Sequence, residues 1–154
     1  MMKNKMNYIE EFDKLKTKVL KYILYKKRTE QEVRQKFKLD SGELLDDVIE
    51  ELKELGYIDD RVYIEKTVRE YINLKNLSIK EIEFKLMSKG IKKTVIDDYI
   101  YNKREDLMEY EIKSAINIIS KKISSTEEVE LLNYLKKKGY MEESLKIAME
   151  QKEE

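Results

Sequence analysis

Three groups of side chains in this sequence have the types and spacing to do chemistry. Glu83-Phe84-Lys85 has the E-x-K form of one class of nucleases, which present it on a strand beside a further acidic residue. Here it falls within a helical pattern with no strand nearby, so nuclease chemistry is not expected. Asp46, Asp47, Glu50, Glu51 and Glu54 offer carboxylates at helical spacing. Hard divalent cations take such oxygen ligands, but tight sites wrap them in a glycine-turned loop, and none is present. No metal site is expected. The third group is basic: Lys26, Lys27, Arg28, Arg34, Lys36 and Lys38 straddle one helix turn, and Lys89, Lys92 and Lys93 follow later. Such a cluster can contact phosphates or the acidic loops of a partner, or serve only as a solvated face. These nine residues are the candidate partner-binding set.

Residue types exclude most other chemistry. Cys, His, Pro and Trp are absent. That removes thiolate–imidazole zinc sites, the Ser-His-Asp triad and the cysteine nucleophile. Disulfides are excluded as well, which agrees with a reducing compartment. Four glycines leave no Gly-rich phosphate loop and no dinucleotide fingerprint. The chain is expected to be no enzyme and to need no cofactor. Eleven tyrosines could stack on bases, but Tyr22, Tyr71 and Tyr99 lie on apolar stripes and are expected to pack in or near the core. Lys136-Lys137-Lys138 closes a helix, where cations favour the negative end of the dipole.

The elements that position these groups are helices. In 154 residues, 42% are charged and 41% hydrophobic, with Glu, Lys and Leu abundant, a composition that favours an all-α fold. Leu45, Val48, Ile49, Leu52 and Leu55 step by three and four. So do Ile64, Val68, Tyr71 and Ile72, and again Ile112, Ala115, Ile116, Ile119 and Ile123. Each is the buried stripe of an amphipathic helix. Helices are expected near 9–26, 29–39, 43–55, 60–75, 78–89, 92–102, 104–122, 125–138 and 141–151.

A repeat organises them. Thr29-x-x-Glu32-Val33, Ser78-x-x-Glu81-Ile82 and Ser125-x-x-Glu128-Val129 are three capping-box patterns, 49 and 47 residues apart. In each, the hydroxyl can cap a helix while the glutamate reaches back to the cap's own N–H. Gly42, Gly90 and Gly139 follow at similar distances and suit the left-handed residue that closes a helix. Gly56 is a further structural glycine. The repeat implies three tandem three-helix units, 1–58, 59–103 and 104–154, forming one elongated, curved array.

Zero net charge conceals an asymmetry. Residues 14–38 hold ten basic and two acidic side chains, and residues 40–60 hold one and nine. Opposed blocks of this kind set docking register and association rate more than affinity. The N-terminus lacks the apolar stretch of a signal peptide, and no apolar run approaches the ~20 residues that span a bilayer. A soluble, cytoplasmic monomer is expected.

Several stretches resemble the RecX family, regulators of the RecA recombinase. Arg28-Thr29-Glu30-Gln31-Glu32-Val33-Arg34-Gln35-Lys36-Phe37 is similar to its first signature. Gly56-Tyr57-Ile58-Asp59-Asp60, with Tyr63 following, is similar to its second, and Leu77–Ile91 to its third. The resemblance covers roughly residues 20–100. It implies three tandem three-helix units and a non-enzymatic modulator that binds along the RecA–DNA filament, inhibiting strand exchange, ATP turnover and coprotease action. Ile64 stands where the family prefers a small residue, and Lys75-Asn76 where a glycine often stands. Five arginines against 27 lysines, with no net charge, suggest weak or indirect contact with DNA. A helix-turn-helix DNA binder and an α-repeat interaction scaffold are the alternatives that the helical pattern leaves open.

Overall fold

The computed structural model describes residues 2–40 and 42–151; the outermost ends of the expected first and third units, at 1 and 152–154, lie outside them. Among the described residues the fold is all-α. The helices are α1 (Met2–Tyr25), α2 (Glu30–Lys36), α3 (Glu43–Glu54), α4 (Asp60–Leu74), α5 (Ile79–Ser88), α6 (Lys93–Asn102), α7 (Arg104–Lys122), α8 (Glu128–Lys137) and α9 (Glu142–Gln151), with a 3-10 turn at Lys38–Asp40. None of them is long and apolar enough to cross a membrane. Two compact units result: Met1–Tyr63 with Lys89–Ile91, and Ile64–Ser88 with Lys92–Glu154.

In the first unit, Leu15, Val19 and Ile23 of α1 meet Leu45, Val48, Ile49 and Leu52 of α3, and Val33 and Ile58 complete the core. Each such side chain contributes about 1.5–3 kcal/mol on burial. α1 begins well before the expected residue 9, because good helix formers carry it past its apolar stripe. Leu55, expected on the α3 stripe, is exposed, because the helix closes there. Gly56 N–H bonds to Lys53 O and Tyr57 N–H to Leu52 O, a Schellman turn with Gly56 at φ +82°. In the second unit α7 packs closely along α9, with Ala115, Ile118 and Ile119 against Leu131, Leu135, Tyr140, Leu145 and Ala148.

Two of the expected capping boxes form with the same geometry. Glu32 N–H donates to Thr29 Oγ1 at 3.0 Å and Thr29 N–H to Glu32 Oε1 at 3.1 Å. Glu81 N–H donates to Ser78 Oγ and Ser78 N–H to Glu81 Oε1, both at 3.0 Å. Each cap hydroxyl also donates, at 2.8 Å, to a carbonyl 60 residues further on: Thr29 to Lys89 O and Ser78 to Lys138 O. The third pattern behaves differently. Ser125 does not cap α8; Glu127 is the N-cap, without a side-chain bond, and Glu128 is simply its first helical residue. Ser125 is exposed and donates instead to Lys122 O at 3.3 Å. Where the Thr29 and Ser78 hydroxyls point to carbonyls 60 residues on, the Ser125 hydroxyl turns back to the end of α7. Gly42 also departs from expectation: it opens α3 as its N-cap, while α2 ends earlier at Lys36 and runs into the 3-10 turn.

Gly90 and Gly139, both at positive φ, complete the two linked boxes. A Cβ on Gly90 would stand 2.3 Å from Gln31 Cγ, and one on Gly139 2.8 Å from Lys80 Cβ. Gln31 and Lys80 each sit two residues after their cap. Gly90→Val therefore meets both left-handed strain and overpacking, each about 1–3 kcal/mol. The melting temperature should fall by several degrees, with the lysine-rich surface of α1 and α2 unchanged, as thermal unfolding by circular dichroism will show.

Candidate partner-binding site

The basic candidates divide into free and committed groups. α1 ends at Tyr25, and Lys26, Lys27 and Arg28 form the turn into α2 because Thr29 fixes where α2 begins. The Thr29 Oγ1 bond to Lys89 O brings Lys89 beside this turn. Lys26, Lys36 and Lys38 are exposed, and Lys27 and Lys89 are partly so. None of these five lysines is in an ion pair among the described residues. Lys92 and Lys93 belong to the second unit, at the start of α6, where Lys93 pairs with Asp97 at 3.1 Å.

Arg34 is committed elsewhere. Its guanidinium donates to Glu30 at 3.0 Å and to Asp46 at 2.7 Å, tying α2 to α3, and Lys53 takes the other oxygen of Glu30 at 3.0 Å. Burial works against the Glu30 carboxylate, but Lys53 and Arg34 outweigh it and hold its carboxyl below the usual range. The hydrogen bond to Asp46 raises the Arg34 pKa above its ordinary value. Lys16 likewise pairs with Glu51 at 3.3 Å, and Tyr8 hydrogen-bonds Asp47. Three of the six acids of α3, Asp46, Asp47 and Glu51, are thus tied to α1 and α2, while Glu43, Glu50 and Glu54 are exposed. Among the described residues no three acidic side chains gather to hold a metal ion.

Arg28 is half-buried over the ring of Tyr22, 4.2 Å from its centroid, and Lys36 approaches the same ring at 5.7 Å. Phe37 meets it edge-on at 5.8 Å. Such cation–π contacts contribute about 0.5–2 kcal/mol and fix the cations in place. Leu24, Tyr25 and Leu39, on the segments that carry these cations, are 70%, 86% and 95% exposed. Exposed Leu24, Tyr25 and Leu39 supply the apolar and aromatic side chains of a protein-binding patch, and the lysines beside them suit its polar rim. The Tyr22 pairing went unread in the sequence although a signal existed: Tyr71 and Lys85 repeat the 14-residue spacing, and their contact is 6.0 Å.

In the second unit Glu83-Phe84-Lys85 lies in α5 with Phe84 exposed. A cleft of about 300 Å³ is lined by Ile72 and Leu107 together with Glu65, Arg69, Lys103 and Asp106. Tyr99, on its wall, has its phenol pKa pushed up by burial. Two acids also went unread. Asp60 Oδ1 accepts the Glu30 N–H at 3.0 Å in the first unit, and burial pushes its carboxyl up. Glu111, fully buried in the second, accepts Ile79 N–H at 2.8 Å and Met141 N–H at 2.9 Å. Beside it Tyr110 donates to Leu77 O at 2.7 Å, and Ser114 and Tyr140 share a 2.7 Å hydrogen bond. Burial raises both phenols above their ordinary pKa and keeps this network protonated. These groups hold helix ends together.

No family model matches the chain. Curated relatives do. A regulatory protein RecX of Finegoldia magna is 35% identical over 129 residues, covering 79% of this chain and 63% of the relative. A regulatory protein RecX of Clostridium beijerinckii is 31% identical over 139 residues, covering 85% and 64%. The chain thus spans less than two thirds of the length of these relatives. The crystal structure of RecX from Lactobacillus salivarius superposes with a TM-score of 0.79 at 21% identity, over 94% of this chain and 98% of that one, and shares its fold.

Proposed function

We propose that this chain, which belongs to the RecX family, is a non-enzymatic modulator that binds along the RecA–DNA filament and inhibits strand exchange, ATP turnover and coprotease action. The observation that carries this is the patch at the α1–α2 turn, where Lys26, Lys27, Lys36, Lys38 and Lys89 make no ion pair among the described residues and stand beside exposed Leu24, Tyr25 and Leu39. Lysines steer the approach to an acidic or phosphate-bearing surface, and the apolar side chains give the docked state its area. Arg28 and Lys36 both pack on the ring of Tyr22 at this turn. The chain works by occupancy and needs no catalytic group.

Binding to bare duplex DNA and to the recombinase filament, compared across salt, tests this. The net charge is zero, so few phosphates can be neutralised, and duplex binding should be weak and vanish as salt rises through the physiological range. Filament binding should persist. Sub-micromolar duplex affinity at physiological salt, without the recombinase, would favour a helix-turn-helix DNA binder instead.

A further inference from the structure

The cleft among α4, α6 and α7 of the second unit gathers groups that the fold leaves without partners. A single residue, Lys103, joins α6 to α7, and its backbone closes both helices. Lys103 N–H bonds to Tyr99 O at 3.0 Å, and Leu107 N–H bonds to Lys103 O at 2.8 Å. Tyr99, Lys103 and Leu107 thereby line one hollow, which Ile72 of α4 lines too. Leu107 is buried and Ile72 partly so, giving the cleft an apolar surface. Glu65, Arg69, Lys103 and Asp106 add two charges of each sign.

These charges do not neutralise one another. On other helices i,i+4 pairs close: Arg34 with Glu30 at 3.0 Å, Lys93 with Asp97 at 3.1 Å and Lys113 with Glu109 at 3.3 Å. Glu65 and Arg69 have the same spacing, with the acid first, the order that favours pairing. They form no ion pair among the described residues, and neither do Lys103 and Asp106 three positions apart. The Tyr99 hydroxyl has no hydrogen-bond partner among them either. Burial raises its pKa, and the charges of Glu65, Arg69 and Asp106 all act on it, so they converge on one place.

We propose that this cleft is a binding site for a small zwitterion, an α-amino acid with an apolar side chain. Arg69 and Lys103 take its carboxylate, Glu65 and Asp106 its ammonium group, and Ile72 and Leu107 its side chain. A volume of about 300 Å³ is at the small end of ligand pockets and suits a molecule of this size. A ligand lacking either charge leaves two like-charged side chains facing each other without a counter-ion, so it is rejected.

The inference is independent of the recombinase, and a titration of the purified chain followed by amide NMR shifts tests it. The probes are L-leucine, L-methionine and L-phenylalanine. At least one should bind saturably, with a dissociation constant of about 1 mM or below and shifts centred on Arg69, Tyr99 and Lys103. For leucine, 3-methylbutylamine lacks the carboxylate and 4-methylpentanoate lacks the ammonium group. Each should bind at least about tenfold more weakly than the parent amino acid. Arg69→Gln and Asp106→Asn, both at exposed positions, should each weaken binding about tenfold with an unchanged helical spectrum, while Lys66→Gln, beside the cleft but not lining it, should not. Absence of saturable shifts with all three amino acids at about 20 mM would overturn the inference. So would analogues that bind as well as the amino acid, or shifts centred elsewhere.

Discussion

Glu111→Ala should be among the most destabilising single substitutions in the second unit. The carboxylate is fully buried, and its two oxygens accept the N–H groups of Ile79 and Met141, at the starts of two different helical segments. Removing it leaves two part-buried donors without their partner, at a cost of about 1–3 kcal/mol each where water cannot replace it. The melting temperature should fall by roughly 10 °C. Glu111→Gln should lose about half as much, because one amide oxygen still accepts while the NH₂ faces a donor. Glu109→Ala is the control on the same helix. Its pair with Lys113 is solvent-exposed, and such pairs contribute little. Chemical denaturation of the three variants gives the ordering. A Glu111→Ala protein within 1 kcal/mol of the parent would contradict it.

Glu111 also shows what the sequence could and could not disclose. The apolar spacing around it, Ile112, Ala115, Ile116, Ile119 and Ile123, identifies α7 as a helix with one buried side. The face actually buried is wider and shifted: Leu107, Tyr110, Glu111, Ser114, Ala115, Ile118 and Ile119. Hydropathy cannot see this, because three of those residues are polar and are buried only where distant backbone groups satisfy them. The same limit hides Asp60. The boxes at Thr29 and Ser78 were legible because each is closed locally, by a residue three positions away. The third looks identical, but its hydroxyl turns back to Lys122 O at the end of α7 and Glu127 takes the N-cap position. In the basic cluster, residue types were legible but their use was not. Arg34 is spent on Glu30 and Asp46 and Lys93 on Asp97, while Arg28 packs on Tyr22.

That division dictates which charges test the proposed function. Reversing Arg28 would remove its packing on Tyr22 and confuse binding with stability. Lys26→Glu, Lys27→Glu and Lys38→Glu change side chains that make no ion pair among the described residues. Each should shift stability by no more than about 0.5 kcal/mol. Together they turn three attractive charges into three repulsive ones at the α1–α2 turn. The association rate with an acidic or phosphate-bearing partner should fall at least about tenfold at low salt, and the difference should shrink as salt screens it. A change confined to dissociation would indicate that these lysines make short-range contacts and do not steer.

The most direct measurement is the rate of ATP turnover by RecA filaments on single-stranded DNA, with the parent or the triple variant added at matched concentration and ionic strength. The triple variant must first show the parent's helical spectrum and melting temperature. If the basic turn is the docking surface, the parent slows turnover, and the variant needs at least about tenfold more protein for the same inhibition, through the loss of steering. Equal inhibition by the two proteins would contradict that and leave the lysines of the α1–α2 turn as a solvated face.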